Sequence, residues 1–392
     1  MQRAGCGLAT AAAVVAALAA ARGARADEPS VKLQLEAGSE LDSNPSRHTA
    51  QRQEDYAPVP AAVGRSGIRF SLGWRPAPRR ALQVSAVAAA KKFIGADSVE
   101  DEDVAVLTGE VRFDVRAAGK PIVWGARLSY YDAIERHNVV DADHGPDHDF
   151  RTGDAALSLT LLGESAQHVS LSAGLRAFQY KPDARYDFVG EHVQLDWRKT
   201  FEPADDSDEP TWELGAWYGF TRRAYNDVAA LHAYTCIDDQ DHLVEPCLVS
   251  TRADRIDLAH NAGAELTYTG ERIYAARYEA TATLSNSFGQ SLVRHRLELS
   301  ATSETVWSIF VTARAVVQVN QFLDPLLLTY NIGALTIEDE NRNALILHAT
   351  RDLGSGAHWA IEARYSFYSN EFATQSLLFR RQTGYLGLVW RL

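Results

Sequence analysis

The chain is predicted to be all-β, a transmembrane antiparallel up-and-down β-barrel of about 16 strands within a range of roughly 14–18. Three observations predict it. Apolar and polar residues alternate with a period of two along most of the chain, the connections between the alternating segments are long and short in turn, and the last eight residues keep strict alternation to the end. No stretch after the first 26 residues approaches the roughly 20 apolar residues that a membrane helix needs, so any crossing of a bilayer must be made by strands.

Successive side chains of an extended segment point to opposite faces, so apolar residues two apart share a face. Leu33, Leu35 and Ala37 open the series; Ile68, Phe70, Leu72 and Trp74 follow, then Leu82, Val84 and Ala86, then Leu107, Val111, Phe113 and Val115. Ile122 to Tyr130, Leu157 to Leu161, Val169 to Leu175, Val193 to Trp197 and Trp212 to Phe220 continue it at every second position. Beyond the cysteines come Ile256 to Tyr268, Tyr274 to Leu284, Leu297 with Leu299, Trp307 to Val317, Leu345 to Ala349, Trp359 to Phe367 and the C-terminal segment. Repetition of one pattern over the whole length predicts one architecture.

With both termini on one side of the membrane, one set of connections falls at 44–65, 94–102, 133–149, 181–185, 224–253, 287–291, 320–342 and 369–375. Most of these are long and acidic. The other set, at 75–80, 117–120, 163–166, 200–209, 269–272, 302–305 and 353–357, is mostly tight and marked by Gly, Pro, Ser or Asp. Membrane barrels sort their connections in this way, short turns on one side and long loops on the other. A soluble β-sandwich has no reason to.

The N-terminal segment agrees with a chain sent to a membrane. Met1-Gln2-Arg3 is basic, Leu8 to Ala21 is an Ala/Val/Leu run too short to span as a helix, and Ala24-Arg25-Ala26 offers a small-residue cleavage site. Residues 1–26 are therefore expected to be a secretory signal peptide and 27–392 a single barrel domain. Cys6 precedes the apolar run and leaves with the signal. Cys236 and Cys247 remain, which suits an oxidising compartment and one local disulfide. The formal net charge is −12, and losing the three arginines of the signal takes it to −15, which argues against nucleic acid as a partner.

At the other end, Leu386, Leu388, Trp390 and Leu392 alternate with Tyr385, Gly387, Val389 and Arg391. The set Tyr385, Gly387, Trp390 and Leu392 resembles the assembly signal of bacterial outer-membrane β-barrels, which usually ends in Phe or Trp where this chain has Leu. The resemblance implies a place in the outer membrane of a Gram-negative bacterium, with outer-membrane lipid and the barrel-assembly machinery as partners.

The faces between the apolar positions are polar. Arg69, Glu110, Arg112, Asp114, Arg127, Arg176, Asp196, Arg198, Glu265, Arg277, Glu279, Arg294, Arg296, Glu298, Arg314, Glu362 and Arg364 are expected to line the lumen. Unpaired charge in hydrocarbon costs several kcal/mol, whereas water or an opposite charge satisfies it. Aromatic residues at strand ends, among them Trp74, Trp124, Tyr130, Trp212, Phe220, Tyr268, Tyr274, Trp307, Trp359, Phe367 and Trp390, are expected in the interfacial girdles. A barrel this wide leaves an aqueous channel. Mixed signs of charge argue against strong ion selectivity, and the same pairs could instead plug the interior.

The acidic segments 135–149 and 97–103 hold potential cation ligands but match no standard metal motif, and read as solvated loops. His260, His295 and His348 lie in strands, and no nucleophile elbow, HExxH or phosphate-cradling loop is present, so no enzyme activity, metal or cofactor is expected. His260 falls on the apolar face by alternation. Gly38-Ser39-Glu40-Leu41-Asp42-Ser43-Asn44 resembles the first strand and turn of barrels that export polysaccharides or assemble surface proteins. That likeness implies a conduit for a hydrated polymer working with separate periplasmic partners. Two readings stay open: a porin-like polar conduit for hydrophilic solutes or a surface polysaccharide, and a structural or surface-interaction barrel with a plugged lumen. The exported form is expected to begin at Asp27-Glu28-Pro29; N-terminal sequencing of the membrane-extracted protein checks it, and a retained Cys6 peptide would refute it.

Overall fold

The structure, a computed structural model, describes residues 28–44, 60–94, 103–136, 150–163, 166–181, 183–201, 210–233, 236–237, 243–244, 247–323, 340–341, 343–354, 356, 358–372 and 377–392. The expected signal peptide lies outside them. Sixteen strands form one closed antiparallel sheet. They are β1 (Ser30–Asp42), β2 (Ala61–Ala77), β3 (Arg80–Ile94), β4 (Asp103–Arg116), β5 (Ile122–Arg136), β6 (Phe150–Leu162), β7 (Gln167–Tyr180), β8 (Phe188–Phe201) and β9 (Thr211–Ala233). Then come β10 (Cys247–Thr269), β11 (Arg272–Ser285), β12 (Leu292–Glu304), β13 (Ile309–Phe322), β14 (Ala344–Asp352), β15 (Trp359–Phe372) and β16 (Leu377–Arg391). A two-residue segment, Glu340–Asn341, extends the line of β14 against β15.

Each strand pairs with the next, and β1 pairs with β16 from Gln34↔Arg391 to Asp42↔Thr383. Reciprocal backbone bonds between Leu33 and Leu392, 3.0 and 2.8 Å, continue the seam to the last residue. Closure removes the free edges that an open sheet would expose to lipid.

The distribution of polarity is inverted relative to a soluble protein. Leu157 is 69% exposed, Leu386 63% and Leu175 58%, whereas Glu40 is 2% and Asp257 1% exposed. The apolar residues that the alternation groups together stand on the outer wall, and their polar neighbours face inward. One internal cavity draws its lining from β5 round to β13, which only the concave face of a cylinder can bring together. The molecule is thus a transmembrane cylinder, apolar outside and polar inside.

Boundaries differ from expectation where strands leave the membrane. The segment expected as a loop at 224–253 is largely a continuation of β9 and β10, each 23 residues long, with register shifts between Ser250 and Ile256. Outside the bilayer both faces of a hairpin meet water, so pairing persists without apolar alternation. A small hairpin, Cys236–Ile237 against Leu243–Val244, lies beyond it. The expected turn at 302–305 is shifted, with β12 running to Glu304 and the reversal at Val306–Ser308. Trp307 there is at the turn rather than in the strand, with φ 63° and 75% of its surface exposed.

Glycines on the inner wall act as seats for neighbouring side chains. At the seam, a Cβ on Gly38 would lie 2.6 Å from the Tyr385 ring and one on Gly387 would lie 2.0 Å from the Tyr385 hydroxyl, so the ring rests flat on the space both residues leave. Trp217 occupies Gly263 in the same way, with 2.1 Å to the missing Cβ. Gly38→Val is expected to destabilise the barrel by about 1–3 kcal/mol through overpacking at the seam; the folded fraction, read from heat-dependent gel mobility and urea unfolding, checks this, and wild-type stability would refute it.

Candidate functional site

The inner wall carries two kinds of surface. Toward the short-turn end it is a lattice of opposite charges paired within strands and between neighbouring ones. Arg198 pairs with Glu213 at 3.0 Å, and Arg277 reaches Glu279 at 3.2 Å and Glu265 at 3.9 Å while lying over the Trp217 ring at 4.3 Å. Glu298 is shared by Arg314 at 2.8 Å and Arg296 at 3.5 Å. Arg112 pairs with Asp114 at 3.0 Å, and Glu362 holds Arg364 and, at 3.1 Å, His348. Asp196 accepts a hydrogen bond from Gln194 at 2.8 Å. Arg69 and Glu110 stand on the same inward face by register with Gln34 and Ser129. Most of these charged side chains are thus tied in pairs along the wall.

A second cluster, not among those candidates, lies beside the closing seam. Glu40 is held by Arg65 at 2.5 Å and Lys91 at 2.9 Å. Asp42 holds Arg381, and Asn44 donates to the Arg380 carbonyl at 3.0 Å. These links join β1, β2, β3 and β16, so they fasten the first strands to the last. The motif 38–44 showed its residues in the sequence, but their cross-seam partners depend on a contact spanning almost the full chain. Glu40→Ala is expected to cost about 3 kcal/mol by leaving two cations facing each other without their shared anion; urea unfolding in lipid checks this, and a loss below about 0.5 kcal/mol would show the pairs to be dispensable.

Toward the end of the long connections the inner wall changes character. Tyr131, Phe150, Phe178, Phe188 and Tyr225, one from each of β5 to β9, form a continuous row with ring centroids 4.9, 5.4, 5.1 and 5.2 Å apart. The Arg255 guanidinium closes the row, 4.1 Å from the centre of Tyr225, and is itself held by Asp257 at 2.8 Å. Arg223 lies 5.4 Å over Phe188. Just below, Asp154 sits between Arg127 at 3.3 Å and Arg176 at 3.2 Å, with His192 at 3.6 Å. Rings and guanidinium groups border a cavity of about 620 Å³ that reaches across to Arg294, Arg296 and Gln318 on β12 and β13.

The sequence reading assigned aromatic residues to the membrane boundary and so missed this row. Parity offered a signal, since Phe178 shares a face with Arg176 and Tyr131 with Ser129. Register decided the rest: Phe178 pairs directly with Phe188, and Phe188 with Tyr225.

On the outer wall, His260 accepts its place on the apolar face by bonding Tyr218 at 2.7 Å, and His295 bonds Tyr278 at 2.7 Å. Pairing offsets the cost of polar groups toward lipid. The expected disulfide falls on Cys236 and Cys247, whose side chains lie outside the described residues, as do segments 95–102 and 137–149 with their acidic groups. Among the described residues no cluster of three or more His, Cys, Asp or Glu is disposed to hold a metal ion.

No protein-family model and no curated protein matches the chain. Among solved structures it is similar to OccK1 (OpdK) of Pseudomonas aeruginosa, at 10% identity and a TM-score of 0.46 over 93% of this chain and 98% of that one. OccAB2 of Acinetobacter baumannii is similar at 10% identity and 0.45 over 95% and 99%, and the outer membrane protein OmpT of Vibrio cholerae at 11% and 0.41 over 93% and 100%. At these values the likeness is one of architecture and carries nothing about what passes or binds. The closed, inverted, 16-stranded cylinder itself defines a β-barrel of the outer-membrane type.

Proposed function

We propose that the protein is a porin-like conduit that lets small hydrophilic solutes cross the outer membrane. The observation that carries this reading is the inner wall, where polar and charged side chains run round the cylinder and lie along it in mutually neutralised pairs. Pairing along the wall lets charged side chains line a water-filled bore without partners from across the axis. Sixteen strands give a bore that wall side chains alone do not fill. The outer-membrane location is further supported by the leader-like residues 1–26 and by the C-terminal set Tyr385, Gly387, Trp390 and Leu392. The partners then are outer-membrane lipid, the assembly machinery and the passing solute.

Polysaccharide export, one of the readings open at the start, has no observation in its favour. The cavity of about 620 Å³ is on the scale of a small molecule.

Purified protein in planar bilayers is expected to give discrete conductance steps in KCl. Glu298→Arg is expected to shift selectivity toward anions, and the double change Arg296→Glu with Arg314→Glu toward cations, each read as a change in reversal potential across a salt gradient. Absence of steps in properly folded protein would sink the conduit and leave the structural barrel.

A further inference from the structure

We infer that the outer wall holds one anionic phospholipid of the periplasmic leaflet, with an acyl chain in a groove over β11 to β13 and its phosphate between Arg272 and Arg351. The site goes beyond general contact with membrane lipid and does not depend on whether the barrel conducts. Its groove begins with small residues. Ala276, Ala301, Ala313 and Ala315 take outward positions on three adjacent strands, Ala301 directly opposite Ala313, and leave a hollow of about 660 Å³ in the wall. Trp212, Tyr268 and Tyr274 pair in succession across β9 to β11, with ring centroids 4.8 and 5.9 Å apart, and form one side of it. Leu345, opposite Ala315, bounds the other.

Position selects the occupant. The hollow lies toward the short-turn end, which faces the periplasm in barrels of this kind, and Tyr and Trp side chains mark the depth of the headgroups. Trp307, 75% exposed in the reversal beyond Ala301 and Ala313, adds a further ring at that end. Two cations stand where a headgroup would lie. Arg272 is two residues nearer the turn than Tyr274, is fully exposed and donates a hydrogen bond to the Tyr274 side chain. Arg351 continues the outward row of β14 past Leu345, Leu347 and Ala349, opposite Ile309. They thus flank the two strands that carry Ala301 and Ala313. Among the described residues neither is in an ion pair; Glu271 offsets part of the Arg272 charge, and Asp352 is taken by Arg391 at 2.7 Å. An acyl chain alone gains little from the hollow, because the rest of the outer wall offers it the same apolar contact. A lipid whose phosphate meets the arginines gains from both. A second copy of this chain is the competing occupant, but two-fold pairing on this face would bring a second set of the same arginines to it.

Mass spectrometry of the intact mature protein released from detergent micelles tests the site with two lipids of identical chains. One phosphatidylglycerol is expected to be held about tenfold more tightly than a second, and about tenfold more tightly than diacylglycerol. Ala276→Phe with Ala313→Phe fills the hollow and is expected to weaken that first binding about tenfold, whereas Ala173→Phe, exposed on the outer wall of β7, leaves it unchanged. Arg272→Gln with Arg351→Gln is expected to bring phosphatidylglycerol down to the level of diacylglycerol. Heat-dependent gel mobility checks that each variant is folded, and Ala313→Leu is the milder filling if the double change is not. Equal retention of the two lipids, a first binding indifferent to filling, or equal weakening by Ala173→Phe would overturn the inference. A dimer that forms as lipid is lost would also overturn it and give the groove to a second copy. KCl conductance is expected to be the same in every variant, so failure of the lipid site leaves the conduit standing, and absence of channels leaves the lipid site standing.

Discussion

Every backbone N–H and C=O that faces hydrocarbon must find its partner within the chain, and the remaining features of this molecule follow from that requirement. A sheet meets it only by closing. Here closure rests on the pairing of β1 with β16, from Gln34↔Arg391 to Asp42↔Thr383, extended by the Leu33 and Leu392 backbone bonds. The seam is reinforced from inside by the Tyr385 ring seated on Gly38 and Gly387, and by Glu40 and Asp42 gripping cations on β2, β3 and β16. Residues at the two ends of the chain thus become neighbours, and the charges they bury at the wall are compensated locally.

Closure also divides the side chains between two solvents. The outer face must match lipid, so it is built from Leu, Val, Ala and aromatic residues, and its few polar members are tied to one another, as Tyr218 to His260 and Tyr278 to His295. The inner face meets water and can hold charge. Placing Arg and Glu on adjacent strands lets ion pairs form along the wall, as between Arg277 and Glu265 or Arg314 and Glu298, without reaching across the bore. Glycine seats complete the arrangement by letting Trp217 and Tyr385 lie flat. Large and charged residues can therefore share one wall without clashing.

Against this uniform design the row of five rings stands out. Rings on an inner wall are not needed for closure, for the match to lipid or for a wet interior, and their cost of exposure to water is met by stacking on one another. Arg255 and Arg223 lie against rings of the row, Arg255 held there by Asp257. The Asp154 group below, with Arg127, Arg176 and His192, sets a compact charged floor beneath it.

The barrel and the division of its faces were legible in the sequence because period-two alternation maps directly onto the two faces of a strand. Leu171, Ala173 and Leu175, or Arg294, Arg296 and Glu298, fall on their proper sides from parity alone. Strand ends beyond the membrane were not legible, since β9 and β10 continue where water bathes both faces and no apolar pattern is required. Nor were the partners: whether Glu40 meets Lys91, or Phe178 meets Phe188, is set by the register between strands, which parity leaves free. The sequence by itself determined which residues face lipid and which face the lumen, because chain geometry alternates side chains locally. Only the closed tertiary structure decided which lumen residues touch, because those contacts depend on how sixteen strands are staggered around one axis.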